Sequence, residues 1–148
     1  IAASKAGIPI DIDKILKAYE ALTNRHDFVV VEGVGGLMVP IDDTLFVADL
    51  ACKMDLPLVI VSRDYLGTIN HTLLTIEYAR NRNLRIKGIV INMLKNEDGL
   101  VREIEKYSSA PVLGTIPFKE DVSVENCIYG DIVEDFRREI DISKIMRK

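Results

Sequence analysis

Four short, mainly β-branched apolar runs punctuate this sequence, at Phe28–Val31, Leu58–Val61, Ile86–Ile91 and Val112–Ile116. Runs of this length and composition are what strands covered on both faces require. Between them the apolar residues recur at helical spacing. Asp11 to about Arg25 places Ile12, Ile15, Leu16, Tyr19 and Leu22 on one stripe, with Asp11 or Asp13 as N-cap after Pro9. A short helix is predicted near Leu45–Met54, a longer one over Thr68–Asn83 and another over Leu100–Tyr107. Asp131–Lys148 reads as one or two helices with a mixed charged face. The alternation predicts an α/β fold with a mainly parallel sheet and helices on both faces. No repeat, low-complexity stretch or linker divides the chain, so residues 1–148 are expected to form a single α/β domain.

Sheets of this kind bind ligands beyond the carboxyl ends of their strands. The residues to inspect are therefore Glu32-Gly33, Ser62-Arg63-Asp64, Asn92-Met93 and Pro117-Phe118-Lys119. Glu32 stands between a strand and Gly33-Val34-Gly35-Gly36, where a carboxylate can be a hard oxygen ligand for Mg²⁺. The neighbouring glycines allow close backbone approach and offer N–H donors to an anion. The same residues also suit a plain tight turn whose acid faces solvent. Leu66-Gly67-Thr68-Ile69-Asn70-His71-Thr72 opens a helix, whose first-turn N–H groups attract a carboxylate or phosphate; taken alone, the pattern fits an ordinary N-cap better. Asn92 offers the donor and acceptor that match a purine edge, or simply tolerates a turn. Pro117 and Phe118 end the last run and suit the wall of a base pocket.

Composition excludes other classes. A formal net charge of −4 argues against a nucleic-acid footprint. Cys52 and Cys127 are too few and too far apart for a zinc site or disulfide scaffold, and are expected to be free thiols in a reducing cytosol. His26 and His71 lack metal-ligand spacing: His26 suits a helix C-terminus, His71 packing or hydrogen bonding. No apolar run approaches the roughly 18 residues needed to span a bilayer, and no signal peptide is visible, so a cytoplasmic protein is expected.

Taken together and in order, these segments resemble dethiobiotin synthetases from about Ala2 to Glu125. Val31-Glu32-Gly33-Val34-Gly35-Gly36-Leu37-Met38-Val39-Pro40-Ile41 is similar to the family's E-G-x-G-G segment with its trailing apolar-Pro-apolar run. Leu66–Thr75 resembles its G-x-I-N-H segment, and Gly88–Asn92 and Gly114–Phe118 complete the order. The resemblance implies a P-loop NTPase-like fold and ATP-dependent closure of 7,8-diaminononanoate and CO₂ to dethiobiotin, in biotin biosynthesis. It implies Glu32 as a Mg²⁺ ligand, with Gly33, Val34 and Gly35 lining the ATP phosphates. Gly67, Thr68, Ile69 and Asn70 would hold the substrate's carboxylate tail, reached from the neighbouring subunit of a homodimer. Asn92 would read adenine, Pro117, Phe118 and Lys119 would border the base, and Glu125, one residue out of the family's spacing, would add a nucleotide contact. Another P-loop amidoligase, such as a cobyrinic acid a,c-diamide synthase, is the alternative, as is a non-catalytic regulatory domain of the same fold.

The sequence departs from that family in a larger respect than the spacing of Glu125. Its P-loop, G-x-x-x-x-G-K-[ST], and the strand and helix around it occur nowhere in these 148 residues. The chain opens Ile-Ala-Ala-Ser-Lys without Met, and the expectation is a fragment, a processed product or the remainder of something longer. These 148 residues alone should therefore release no phosphate from ATP. A coupled phosphate assay checks this, and measurable turnover would contradict it.

Overall fold

The computed structural model describes residues 2–95, 99–123 and 125–146. Residues 1–56 and 57–148 each form a compact unit.

The first unit is built from helices and loops. Helix α1 is Ala2–Ala6 and α2 is Ile12–Thr23. The Asp11 carboxylate caps α2 by accepting from Lys14 N–H at 2.9 Å, satisfying one of the donors that a helix start leaves unpaired. Helix α3, Val47–Lys53, falls inside the expected segment. Asp49 in its first turn reaches back to accept from Phe46 N–H at 2.8 Å. The expected strand at Phe28–Val31 is not formed, and Val30 is 79% exposed. A β-branched run becomes a strand only when a neighbour supplies ladder partners. Among the described residues of this unit the single bridge is Pro40 to Phe46, so Phe28–Val31 has nothing to pair with there.

The second unit carries the sheet. Strands β1 (Leu58–Arg63), β2 (Ile86–Leu94) and β3 (Val112–Pro117) run parallel in the order β1-β2-β3. Helix α4 (Thr68–Asn81) links β1 to β2, and α5 (Leu100–Ser108) links β2 to β3. Helices α6 (Ile132–Glu139) and α7 (Ile142–Met146) follow. Because side chains alternate along a strand, β2 feeds two cores. Ile89 and Ile91 pack with Ile60, with Ile76 of α4 and with Ile104 of α5. Val90 faces the other way, toward Leu113, Ile116 and Ile140. Helices therefore cover both faces, as the continuous apolar runs require. No helix among the described residues is long and apolar enough to cross a membrane.

The end of α6 lies very close to β3. A Cβ on Gly114 would sit 2.0 Å from the Glu139 carbonyl oxygen, a distance that only glycine permits. Just beyond, Asp141 N–H donates to Leu113 O at 3.2 Å, so the chain after α6 occupies part of the edge of β3.

This arrangement makes a paired prediction. Ile89→Ala, at a fully buried position, should cost about 2–5 kcal/mol. Val61→Ala, on the 65% exposed face of β1, should cost about 0.5 kcal/mol or less. Urea denaturation of both variants measures the contrast, and equal costs would contradict the two-core description.

Candidate functional site

The Glu32 loop belongs to the first unit and is fastened at one end. Val47 N–H donates to Val39 O and Ala48 N–H to Leu37 O, both at 3.0 Å, laying residues 37–39 along the start of α3. Ahead of them the chain turns through Gly35, which has a φ of +75°. A Cβ there would also meet Val39 Cγ2 at 2.9 Å, so both conformation and space select glycine. Val39 N–H closes the turn on Gly36 O at 3.0 Å. Glu32 and Gly33 are exposed, as is Val34 at 81%, which leaves the carboxylate and the loop backbone open to an incoming ligand. The described residues contain no cluster of three or more His, Cys, Asp or Glu able to cage a metal. A single exposed carboxylate nevertheless fits Mg²⁺, which takes one or two protein carboxylates and completes its shell with water and phosphate oxygens.

In the second unit, the predicted residues gather at the carboxyl ends of the three strands. After β1 the chain turns through Gly67, φ +95°, into α4. Thr68 is buried, and its N–H donates to Tyr65 O at 3.1 Å. That leaves the N–H groups of Ile69 and Asn70 as first-turn donors without a partner among the described residues. Asn70 itself is exposed, and Leu66 is entirely so. The turn is held by two side-chain bonds: Ser62 Oγ with Thr72 Oγ1 in the interior, and Tyr65 Oη with His71 Nδ1 at the surface, each 2.6 Å. His71 is thus a hydrogen-bonding residue.

Asn92, near the end of β2, is half-buried and turned back on itself. Its amide oxygen accepts from Met93 N–H at 2.9 Å, and Met93 has a left-handed φ of +57°. The amide nitrogen makes no hydrogen bond among the described residues. Asp64 and Lys95 join the three strand ends. Asp64 N–H donates to Asn92 O at 3.2 Å, while the Asp64 carboxylate accepts from Lys95 N–H at 2.9 Å. Phe118 N–H donates to Leu94 O at 2.9 Å, and the Lys95 ammonium lies 4.9 Å from the centre of the Phe118 ring, within cation–π range. The segment from Asn92 to Lys95 is therefore tied to Asp64 on one side and to Phe118 on the other. A cleft of about 250 Å³ beside them is lined by Leu94, Lys95, Thr115, Pro117 and Glu139. The larger depression, about 390 Å³ and flanked by Arg102 and Glu105, holds none of the residues expected from sequence.

Lys119 points away from this group. Its ammonium is paired with Asp131, and with Asp135 at 2.7 Å. Its pairing with Asp131 and then with Asp135 raises the Lys119 pKa above the ordinary lysine value. The bond to Lys119 holds the Asp131 carboxyl below its usual range. The pairing thus stabilises the fold below the ordinary lysine pKa and above the ordinary aspartate pKa. It is lost as pH rises through the raised lysine value or falls through the lowered carboxyl value. Glu125 sits apart, exposed in a turn closed by paired hydrogen bonds between Ser123 and Ile128.

Asp64, Lys95 and Asp135 are the residues that sequence reasoning did not single out for a role. Asp64 at least lay within the inspected strand-end segment. Removing its carboxylate by Asp64→Ala should free the Lys95 amide. Hydrogen exchange there should quicken severalfold while the fold loses about 1 kcal/mol. Unchanged exchange at Lys95 would contradict the brace.

The family described as an AAA domain matches residues 1–126. The ATP-dependent dethiobiotin synthetase BioD of Bacillus velezensis is 38% identical, over 98% of this chain and 62% of its own. That of Bacillus licheniformis is 37% identical, over 99% and 63%. The protein of the same name from Methanocaldococcus jannaschii is 36% identical, over 84% and 63%. The chain spans about three-fifths of the length of these curated relatives.

Proposed function

We infer, from the premise that this chain belongs to the AAA domain family matched over residues 1–126, that its protein makes dethiobiotin. The reaction consumes 7,8-diaminononanoate, CO₂ and ATP. The observation that carries this reading is the likeness to enzymes of that name along nearly the whole chain. It also favours this reading over the other amidoligase and over a regulatory domain. CO₂ joins one amine of the substrate as a carbamate, ATP phosphorylates the carbamate, and the second amine attacks the activated carbonyl. Phosphate leaves as the cyclic urea closes.

Each residue has a part that its surroundings support. Asn70 and the unpaired N–H groups of Ile69 and Asn70 hold the carboxylate tail, with the positive end of α4 behind them and Gly67 and Thr68 shaping the turn. The homodimer implied by the resemblance brings this turn to the neighbouring subunit's substrate. Asn92 presents its amide nitrogen to an acceptor on adenine, with Pro117 and Phe118 as the wall. Lys119 borders the base by its backbone and stem while its ammonium is held elsewhere. Glu125 is the outermost nucleotide contact. Gly33, Val34 and Gly35 line the phosphates beside Glu32. Glu32 would hold Mg²⁺ there with water and phosphate oxygens, and the ion would supply positive charge against the transferring phosphoryl group. The rest of the acceleration comes from positioning amine and phosphoryl donor together. A cytoplasmic location accords with these soluble substrates.

In the full protein, saturating 7,8-diaminononanoate should raise the thermal midpoint, since a ligand at about 100 times its Kd adds about 2.7 kcal/mol. Asn70→Ala should weaken that binding about tenfold or more, by removing a hydrogen bond to a charged group. An undiminished shift in the variant would contradict the assignment of the tail.

A further inference from the structure

Asp135 is the most deeply buried charged residue described, 2% exposed, although it lies in the first turn of a short surface helix. A carboxylate withdrawn from water is costly unless cations and hydrogen bonds compensate it. Here two cations do so from opposite sides. Arg138, one turn along α6, donates to Asp135 Oδ1 at 2.6 Å. Asp135 Oδ2 makes no hydrogen bond and has the Lys119 ammonium at 2.7 Å, held by charge rather than by bonding geometry. Lys119 comes from the segment just after β3, so this ion pair is a tertiary tie between α6 and Pro117–Lys119. Asp131 also pairs with Lys119, but from a position 64% exposed, where water weakens the attraction.

The place of the tie matters more than its strength. Phe118 is anchored on its β2 side by the bond from its N–H to Leu94 O, and Lys119, the next residue, is anchored on the α6 side by Asp135. Between these two anchors the backbone that carries the Phe118 ring, 40% exposed and 4.9 Å from the Lys95 ammonium, is held on both sides. Ile132 of α6 packs against the apolar core beneath, so the tie adds to a helix already seated on the sheet and acts on the segment just beyond β3.

We propose that Asp135 is a positioning residue for nucleotide binding: its buried carboxylate, shared between Lys119 and Arg138, latches α6 to Pro117–Lys119 and fixes the wall against which the base lies. The proposal rests on the nucleotide-site reading of Asn92, Pro117 and Phe118. Asp135 touches no substrate; it acts through Lys119. Neutralising it removes the buried counter-charge and leaves Lys119 tied to α6 only through the exposed Asp131, which should loosen the turn.

The test uses the full protein and two readouts for Asp135→Asn, Lys119→Met, Lys119→Arg and the Asp135→Asn/Lys119→Met pair. Amide exchange over residues 118–120 of ligand-free protein reports the latch, and titration with ATP reports the site. Asp135→Asn and Lys119→Met should each speed exchange and weaken ATP about fivefold to tenfold. The loss in the double variant should fall short of the sum of the two single losses, because the Asp135–Lys119 contact is broken in both. Lys119→Arg should restore affinity to within about twofold of wild type, since a cation is retained. Unchanged exchange in Asp135→Asn overturns the latch. Faster exchange with unchanged ATP affinity overturns its positioning role. If Asp135→Asn does not fold, Lys119→Met against Lys119→Arg decides by the same two readouts. Wild-type protein that binds ATP but forms no dethiobiotin refutes the proposed reaction and leaves the latch standing; wild type that binds no ATP refutes both.

Discussion

Strand β2 is the member on which the second unit depends. It is paired in parallel on both sides, to β1 and to β3, and its alternate residues enter opposite cores. Ile89 and Ile91 cannot be solvated without exposing Ile76 and Ile104, nor Val90 without Leu113 and Ile116. A strand so placed fixes the direction and spacing of all three carboxyl ends. Those ends are where Asp64, Asn92 and Phe118 emerge, and short backbone bonds among them turn the parallel sheet into a platform. The order runs from apolar burial to strand register, and from register to the placement of polar groups.

Charge adds a second layer to that platform. Lys95 lies on the Phe118 ring from the β2 side, and Lys119 is drawn off toward α6 by Asp131 and Asp135. The two lysines thus take different partners, one an aromatic ring and the other a pair of carboxylates. The turn into α4 is governed differently. Its fixed groups are the Ser62–Thr72 and Tyr65–His71 pairs, and what they leave free is backbone N–H. At the carboxyl ends of the strands, β2 therefore offers an amide donor suited to a base edge, and the turn after β1 offers N–H donors suited to a carboxylate.

Much of this was legible in the residues. Three apolar runs became β1, β2 and β3 because their neighbours lie close in sequence, across single helices that the spacing of Ile69, Leu73 and Ile76 already indicated. Asp11 announced its helix because capping is a local interaction between residues three apart. Phe28–Val31 carries the same composition but forms no strand, since composition specifies readiness to pair and not the partner. The ion pair of Lys119 with Asp135 was not legible. Its members are distant in sequence, and in the tail Asp135 looks like any acid on a charged helix face until α6 folds back on β3. Lys95 was missed for a related reason, as nothing near it in sequence points to the ring of Phe118.

The most direct test of the account supplies the full protein with ¹³C-labelled bicarbonate, ATP, Mg²⁺ and 7,8-diaminononanoate, and follows both products. The account predicts dethiobiotin carrying the label at the single carbonyl carbon of its ring, with phosphate released in equal amount. ATP hydrolysis that proceeds without the diamine, or a complete mixture that yields no labelled ring, would contradict it.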